Sequence, residues 1–406
     1  IIDDPKLAGD KAFDWKKGFP NIMGSGGFDI IIGNPPYFKV FEQNPINKTA
    51  VFLEIKSGMM NAAAVFINKA MYLVKDSGYV GMIVPKMLAY TDSWNKIRKK
   101  LLDKCKLTKV VDAGKAFEGV LLEQIIFVLR RASEKDNIVF IGELDDQSIT
   151  ETAKIPQSLF VINNQIYLEP NERAYLIKDI MEKSGVFLGD ISDINLGIGI
   201  QGKSFFYDEY KTGYEKVLRG TDVQRYFIRG SKFYDPNEKE LVPYLNYIKK
   251  MKQPHIVAQR IVAHIKDHIK ITAAFDNEGL FSFNTVTNIF VHDKRYSNLV
   301  VLALINSNVV QYYTYKFIYQ NAIRSMDFYK AYAEKIPLPQ ITSKQKDDIE
   351  TLTTELIKSH KTLESSKNPE LINKEITRLE LELNDIIYEV YNIKDKEKEL
   401  IENSLK

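Results

Sequence analysis

Phe28-Asp29-Ile30-Ile31-Ile32-Gly33-Asn34-Pro35-Pro36-Tyr37 is the most informative stretch of the chain. Three β-branched apolar residues in a row, closed by Gly33, read as a short buried parallel strand. A loop follows at its carboxyl end, where open α/β sheets bind their ligands. Pro35 and Pro36 stiffen that loop and remove two N–H donors. Its carbonyls are left to accept hydrogen bonds, while Asn34 adds a side-chain acceptor and Tyr37 a flat aromatic face. The combination suits a planar group with an exocyclic amine, since acceptors hold the NH2 and the ring stacks.

The flanking sequence places this strand in a sheet. Ala62 to Lys75 has helical spacing, with Gly78 as its stop. Tyr79–Pro85, Leu107–Val111 and Gln124–Leu129 read as further strands, and Trp94–Leu102 as an amphipathic helix between them. Residues 1–132 are therefore expected to form an α/β sheet. Residues 133–340 are less regular, with Gly197, Gly199 and Gly202 in turns, short β-like runs at Phe281–Phe283 and Asn288–Val291, and a basic stretch from Lys249 to Lys270. A mixed α+β domain is expected there, with helical spacing over Leu299–Lys316. In residues 341–406, Ile372, Ile376, Leu379, Leu383, Ile386, Val390 and Ile393 follow steps of 4, 3, 4, 3, 4, 3, a heptad seam. Ile349, Leu352, Leu356 and Leu363 precede it across a Ser365–Pro369 turn. A coiled-coil-like helical hairpin follows from this, packed on its own chain or on another.

Composition narrows the classes without naming a function. The 406 residues are 45% apolar and 27% charged, which excludes a mini-protein and wholesale disorder. The single cysteine, Cys105, excludes an internal disulfide and a multi-cysteine zinc site, and it fits a reducing cytoplasm. Its neighbours Lys104 and Lys106 suggest a surface helix position. No run reaches the length of a membrane span, and Ile1-Ile2-Asp3-Asp4 lacks the pattern of a signal peptide. Residues 341–406 hold 11 Lys/Arg and 15 Asp/Glu, a net of −4, so the rest of this +3 chain carries +7. A mildly basic body is compatible with nucleic-acid binding.

The Phe28–Tyr37 stretch closely resembles the catalytic motif of the gamma-class N6-adenine DNA methyltransferases, in the version of the large type IIG restriction–modification enzymes. The resemblance continues through Ala63–Ala70, Gly78–Pro85 and Asp112–Phe117. It implies a partial Rossmann-like methyltransferase sheet, S-adenosylmethionine as methyl donor and a target adenine flipped out of double-stranded DNA. Carried onto this chain, the base lies between Tyr37 and Phe117, and its N6 donates to the Asn34 side chain and the Pro35 carbonyl within the Asn34-Pro35-Pro36-Tyr37 loop. Phe66 packs on the cofactor adenine, and Asn34 also faces the cofactor. The family's glycine-rich cofactor loop lies upstream of this motif. Gly24-Ser25-Gly26-Gly27 leads into the catalytic strand rather than opening a helix, so it does not qualify. The main cofactor-binding loop is thus expected to be absent from the chain, the sheet to begin at its fourth strand, and an N-terminal remainder, with a possible nuclease, to be a partner.

Gly197–Lys203 and Leu218-Arg219-Gly220-Thr221-Asp222-Val223-Gln224-Arg225-Tyr226 resemble blocks of the target-recognition domain of the same enzymes, as do Leu304–Asn308 and Lys335–Pro339. This implies phosphate grip by basic residues and base-edge readout in the major groove. Lys203, Arg219, Arg225, Arg260, Lys266 and Arg324 are the candidates, Arg225 being the one most expected to be structural. Two other readings compete: a specificity module without its own catalysis, and a methyltransferase for protein glutamine or RNA. The length of chain after Tyr37 disfavours the last. His264 and His268 are four apart but have no third ligand in a clear motif, so no metal is assigned. Glu54-Ile55-Lys56 and Glu209-Tyr210-Lys211 match only the tail of a nuclease pattern.

Overall fold

The computed structural model describes the chain except residues 1, 2, 4, 59, 118–121, 133–136, 146, 147, 184, 201–205, 231, 266, 267, 324, 367 and 406. Two compact units result, Ile1–Glu172 and Arg173–Lys406.

The first unit is built on one six-stranded sheet. Its strands are β1 (Phe28–Gly33), β2 (Val74–Pro85), β3 (Lys106–Gly114), β4 (Gln124–Arg130), β5 (Ile138–Asp145) and β6 (Ser148–Pro156), in the order β1-β2-β4-β3-β5-β6. β1 runs parallel to β2, whereas β4 is antiparallel to both β2 and β3. β1, β2 and β3 therefore share one direction and end on the same side. The sheet is mixed because the link from β3 to β4 is too short for a crossover. The boundary expected at residue 132 falls inside this sheet, since β5 and β6 belong to it.

Helix α1 (Ala62–Leu73) packs against β2, and α2 (Asn95–Lys104) packs against β3. The Asn61 side chain caps α1 by accepting from the Ala63 N–H at 2.9 Å. α1 stops at Leu73, short of Gly78, because β2 already begins at Val74. Gly27 makes the tight entry into β1. Its φ is +122°, and a Cβ there would lie 2.3 Å from the Leu73 carbonyl oxygen.

β1 is parallel as expected but not buried. Ile30 is 61% exposed and Ile32 85% exposed, and Tyr79, in register with Ile30, is exposed beside them. β1 is an edge strand among the described residues, and nothing described covers this apolar face. Cys105 also departs from expectation. It follows α2 directly and is buried, with its Sγ 3.8 Å from the Met71 Sδ. Burial pushes its thiol up to about 12.

In the second unit, β7 (Ser192–Leu196), β8 (His255–Gln259), β11 (Ala273–Asp276) and β12 (Val286–Val291) form an antiparallel sheet in the order β11-β8-β12-β7. Between them in the chain, β9 (Ile261–Ile265) and β10 (His268–Lys270) form a hairpin. The helix expected over Leu299–Lys316 is divided. α3 (Asn298–Asn306) ends at Ser307, whose side chain accepts from the Val310 N–H and so caps α4 (Asn308–Tyr313).

The helical hairpin is present as α5 (Ser343–Ser365) and α6 (Pro369–Val390), followed by α7 (Asp395–Ser404). It is not a free-standing domain, because α5 packs on α3 and α6 on α4. Ile376, Leu379, Leu383, Asn384, Ile387 and Tyr388 are the buried positions of α6. Burial passes to Ile387 and Tyr388 rather than Ile386 and Val390. That drift follows the 3.6-residue period of a straight helix rather than the 3.5 of a coiled coil. Among the described residues, no helix is long and apolar enough to cross a membrane.

Candidate active site

Asn34–Tyr37 leaves the carboxyl end of β1, and two neighbours hold it in place. The Tyr37 hydroxyl lies 3.1 Å from the Asn34 Oδ1 and 3.0 Å from the Ile83 carbonyl oxygen on β2, so both acceptors share its single proton. Behind the ring, the Asn61 amide donates to the Tyr37 carbonyl at 3.2 Å. The α1 cap therefore also anchors the loop, and the Ala62 N–H donates to the Phe38 carbonyl at 2.9 Å. Tyr37 is half-buried, and burial raises its pKa, which keeps the phenol a donor at neutral pH. Asn34 is exposed and Pro35 buried. Among the described residues, no donor reaches the Pro35 or Pro36 carbonyl.

Phe117 follows the carboxyl end of β3 and is exposed. Two contacts shape its approach. The Gly114 N–H donates to the Asp112 carboxylate at 3.1 Å, closing a turn in which Gly114 has φ +53°. The Ala116 N–H donates to the Gln124 side chain at 2.8 Å. Residues 118–121, directly after Phe117, lie outside the described set.

Between these loops sits a charged group that the sequence reading missed. Lys86 follows β2 directly, is 2% exposed, and places its Nζ 2.6 Å from Asp112 and 3.3 Å from Glu123. Its backbone N–H also donates to the Glu123 carbonyl at 2.8 Å. Burial on its own would lower the Lys86 pKa, but the Asp112 and Glu123 carboxylates hold it above the ordinary lysine value. The available signal was positional. Lys86 stands at a strand's carboxyl end, and Asp112 sits at the end of the next strand of like direction.

Phe66 is the least buried side chain in the middle of α1, where its neighbours Val65 and Ile67 are fully buried. The glycine run 24–27 lies at the opposite, amino end of β1. The described residues thus present a half-buried aromatic ring on α1 and an exposed asparagine after β1. They include no glycine-rich turn opening a helix at the carboxyl end of the sheet. Glu54 belongs to a structural cluster with Lys100 at 2.7 Å, Tyr72 at 2.7 Å and Asn68 at 3.0 Å. Among the described residues, no three His, Cys, Asp or Glu side chains converge as a metal site.

In the second unit, Lys203, Lys266 and Arg324 lie outside the described residues. Arg219 forms a two-pronged pair with Asp222, at 3.0 Å and 2.9 Å. Arg260 reaches Asp327 at 3.0 Å. Both remain partly exposed. Arg225 is engaged within the unit. Its guanidinium is held by Glu380 of α6 at 2.7 Å and by the Asn306 carbonyl at 2.7 Å. A cavity of about 530 Å3 is lined by Arg219, Thr221, Gln259, Ile261 and Thr285, among others.

Residues 2–118 match the Eco57I restriction-modification methylase family, and residues 215–338 match the TaqI-like C-terminal specificity domain. The two matches lie in series along the chain, the methylase match first and the specificity-domain match after it. The methylase match contains β1, the Asn34 loop, β2 and β3, and ends just past Phe117. A Methanocaldococcus jannaschii protein named for a type II restriction enzyme and methyltransferase, RM.MjaORFECS2P, is 24% identical over 405 residues. That alignment covers 94% of this chain and 32% of the relative. The type II methyltransferase M.VspI of a Vibrio species is 25% identical over 205 residues, 49% of this chain and 48% of the relative. The chain thus spans about a third to a half of the length of these curated relatives. In fold it is similar to the type IIL restriction-modification enzyme MmeI, solved in complex with DNA, with a TM-score of 0.64 at 12% identity over 94% of this chain and 56% of that one.

Proposed function

We propose that the chain is the catalytic half-sheet and specificity part of a type II DNA methyltransferase that methylates the N6 of adenine. The carrying observation is the Asn34–Tyr37 loop. It offers unpaired carbonyl acceptors and a side-chain acceptor at the sheet's carboxyl end, with the Tyr37 ring tethered beside them. The target adenine, flipped from the duplex, stacks between Tyr37 and Phe117. Its N6 donates to the Asn34 Oδ1 and the Pro35 carbonyl. Those two bonds draw the nitrogen toward tetrahedral geometry and free its lone pair for attack. Positioning and electrostatics dominate, because no enzyme nucleophile is needed.

Sheet spacing supports this arrangement. β2 and β3 are separated by β4, a gap of about 10 Å at ~4.8 Å per strand. Tyr37 reaches over to β2 through Ile83. Two stacking contacts need about 7 Å, so loops leaning inward by a few ångströms enclose one base. S-adenosylmethionine, when bound, supplies the methyl group from its sulfonium. Phe66 and Asn34 are the residues of this chain that would hold it, and the rest of the enzyme would supply the glycine-rich turn. The longer curated relatives support such a remainder.

The specificity domain is proposed to bind double-stranded DNA. Arg219, Arg260, Lys203, Lys266 and Arg324 are its basic contacts, and the cavity beside Arg219 and Thr221 is a surface for reading base edges. Arg225 is left out because the fold already uses it. The test is expression of the full-length enzyme in a host without adenine methylation, followed by methylation-sensitive sequencing. Sequence-specific N6-methyladenine is expected with the wild type and none with Asn34→Ala. Methylation that survives Asn34→Ala would overturn the catalytic assignment.

A further inference from the structure

The methylase unit buries a lysine at the place where the two base-contacting loops originate. Its two partners, Asp112 and Glu123, flank the β3–β4 connection that carries Phe117. Asp112, which takes the Lys86 ammonium at 2.6 Å, also accepts from the Gly114 N–H and so shapes the turn leading to Phe117. Glu123, at 3.3 Å, immediately precedes Gln124, whose side chain holds the Ala116 N–H. Lys86 itself comes directly after β2, three residues beyond Ile83, whose carbonyl receives the Tyr37 hydroxyl. A continuous chain of contacts therefore runs from the Tyr37 ring through β2 and Lys86 to the Phe117 turn.

We infer that Lys86, with Asp112 and Glu123, is a positioning clamp that sets the separation of the Tyr37 and Phe117 loops for the flipped base. A buried ammonium is an expensive way to fill a core, since taking a charge out of water is costly before it is paired. A methionine would occupy similar space at no such cost. What the charged group adds is direction, because it hydrogen-bonds Asp112 and ion-pairs with Glu123, the carboxylates at the two ends of the β3–β4 connection. Small misplacements of positioned groups weigh heavily on rate, about 100-fold for ~1 Å. Lys86 touches neither base nor cofactor in this scheme and acts through the loops. The inference rests on the proposed base-flipping methylation.

The experiment uses the full-length enzyme with two duplexes, one carrying the target adenine identified by methylome sequencing for methyl transfer, and one carrying 2-aminopurine at that position as a reporter of flipping alone. Two variants are compared with wild type: Lys86→Met, and the triple change Lys86→Met, Asp112→Asn and Glu123→Gln. The triple change removes the charges together and so leaves no unpaired ion to unfold the unit. Its cooperative unfolding is checked first by circular dichroism. The triple variant is expected to transfer methyl in a single turnover about 10-fold to 100-fold more slowly. Its KM for DNA should stay within about twofold, with a changed 2-aminopurine emission that reports a loosened sandwich. A folded triple variant with wild-type turnover and emission would overturn the clamp, as would a loss confined to KM. Failure of the wild type to methylate adenine would instead remove the proposed function, and the clamp with it.

Discussion

The Tyr37 hydroxyl stands 3.0 Å from the Ile83 carbonyl oxygen, and this contact binds an exposed loop to the second strand of the sheet. The same hydroxyl faces the Asn34 Oδ1. The aromatic wall and the side-chain acceptor of the proposed site are therefore set by one shared proton rather than by independent supports. Tyr37→Phe keeps the ring and removes this tether. It is expected to cost about 0.5–1.5 kcal/mol of stability and to slow methyl transfer, whereas Tyr37→Ala should nearly abolish transfer by deleting the stacking face. Urea denaturation and single-turnover assays on the two variants separate these effects. Equal activity of Tyr37→Ala and wild type would remove Tyr37 from the site.

Arg225 joins the segment after Tyr214 to the helical hairpin through Glu380, and to α3 through the Asn306 carbonyl. Its neighbourhood is aromatic, with His360 of α5 stacked on Tyr226 at 5.7 Å and 27°. Breaking a mostly buried pair from one side leaves the other charge uncompensated, typically at 3–5 kcal/mol. Glu380 retains some exposure, so Arg225→Met is expected at the low end, about 3 kcal/mol. The urea midpoint of the Arg173–Lys406 transition in the full chain measures this. Arg219→Ala likewise strips a buried carboxylate, Asp222, of its guanidinium, so it should lower that midpoint as well as weaken DNA binding. An unchanged midpoint for Arg225→Met would show that the hairpin docks by its apolar seam alone.

These two residues also mark how far sequence reading reached. The Phe28–Gly33 strand and the loop after it were legible because local chemistry specifies them: β-branched residues, a closing glycine and two prolines. The hairpin was legible because period persists over many turns. Exposure of Ile30 and Ile32 was not legible, since a run of isoleucines looks the same whether or not something covers it. Arg225 and Glu380 are 155 positions apart, and Lys86 meets Asp112 and Glu123 only once three strands have paired. Periodicity carries no information about such pairings. The division at Ser307 had a local signal, a serine able to cap, which the continuous apolar run outweighed.

Glu54 gives the methylase unit an acid-sensitive contact. Burial would raise its pKa, but hydrogen bonds from Lys100, Asn68 and Tyr72 overcome that and bring it down to about 2 from 4.5. A carboxylate with a depressed folded pKa favours the folded state fully above its unfolded value and loses that contribution as pH falls through the folded one. The contribution of Glu54 is thus present above about 4.5 and disappears on the way to about 2. Urea midpoints from pH 5 to pH 2 should fall more steeply for wild type than for Glu54→Gln. Parallel curves would mean that solvent screens the cluster completely.

The last prediction concerns the cofactor. In the proposed site Asn34 and Phe66 are the residues assigned to the cofactor, and the described residues include no glycine-rich turn opening a helix to receive the charged methionine end of S-adenosylmethionine. An aromatic stacking contact alone contributes about 0.5–1.5 kcal/mol beyond its buried area, far below the roughly 8 kcal/mol of micromolar affinity. The 406-residue chain is therefore expected to show no saturable S-adenosylmethionine binding at micromolar concentrations in calorimetry, while the full-length enzyme does. The exposed Ile30–Ile32 face supplies a second readout in the same pair of proteins. It should be protected from hydrogen exchange more strongly in the full-length enzyme, where an apolar strand face of this kind is expected to be covered. Micromolar binding by the chain alone would mean that its own residues complete the pocket, and the division of labour proposed for the cofactor site would have to be abandoned.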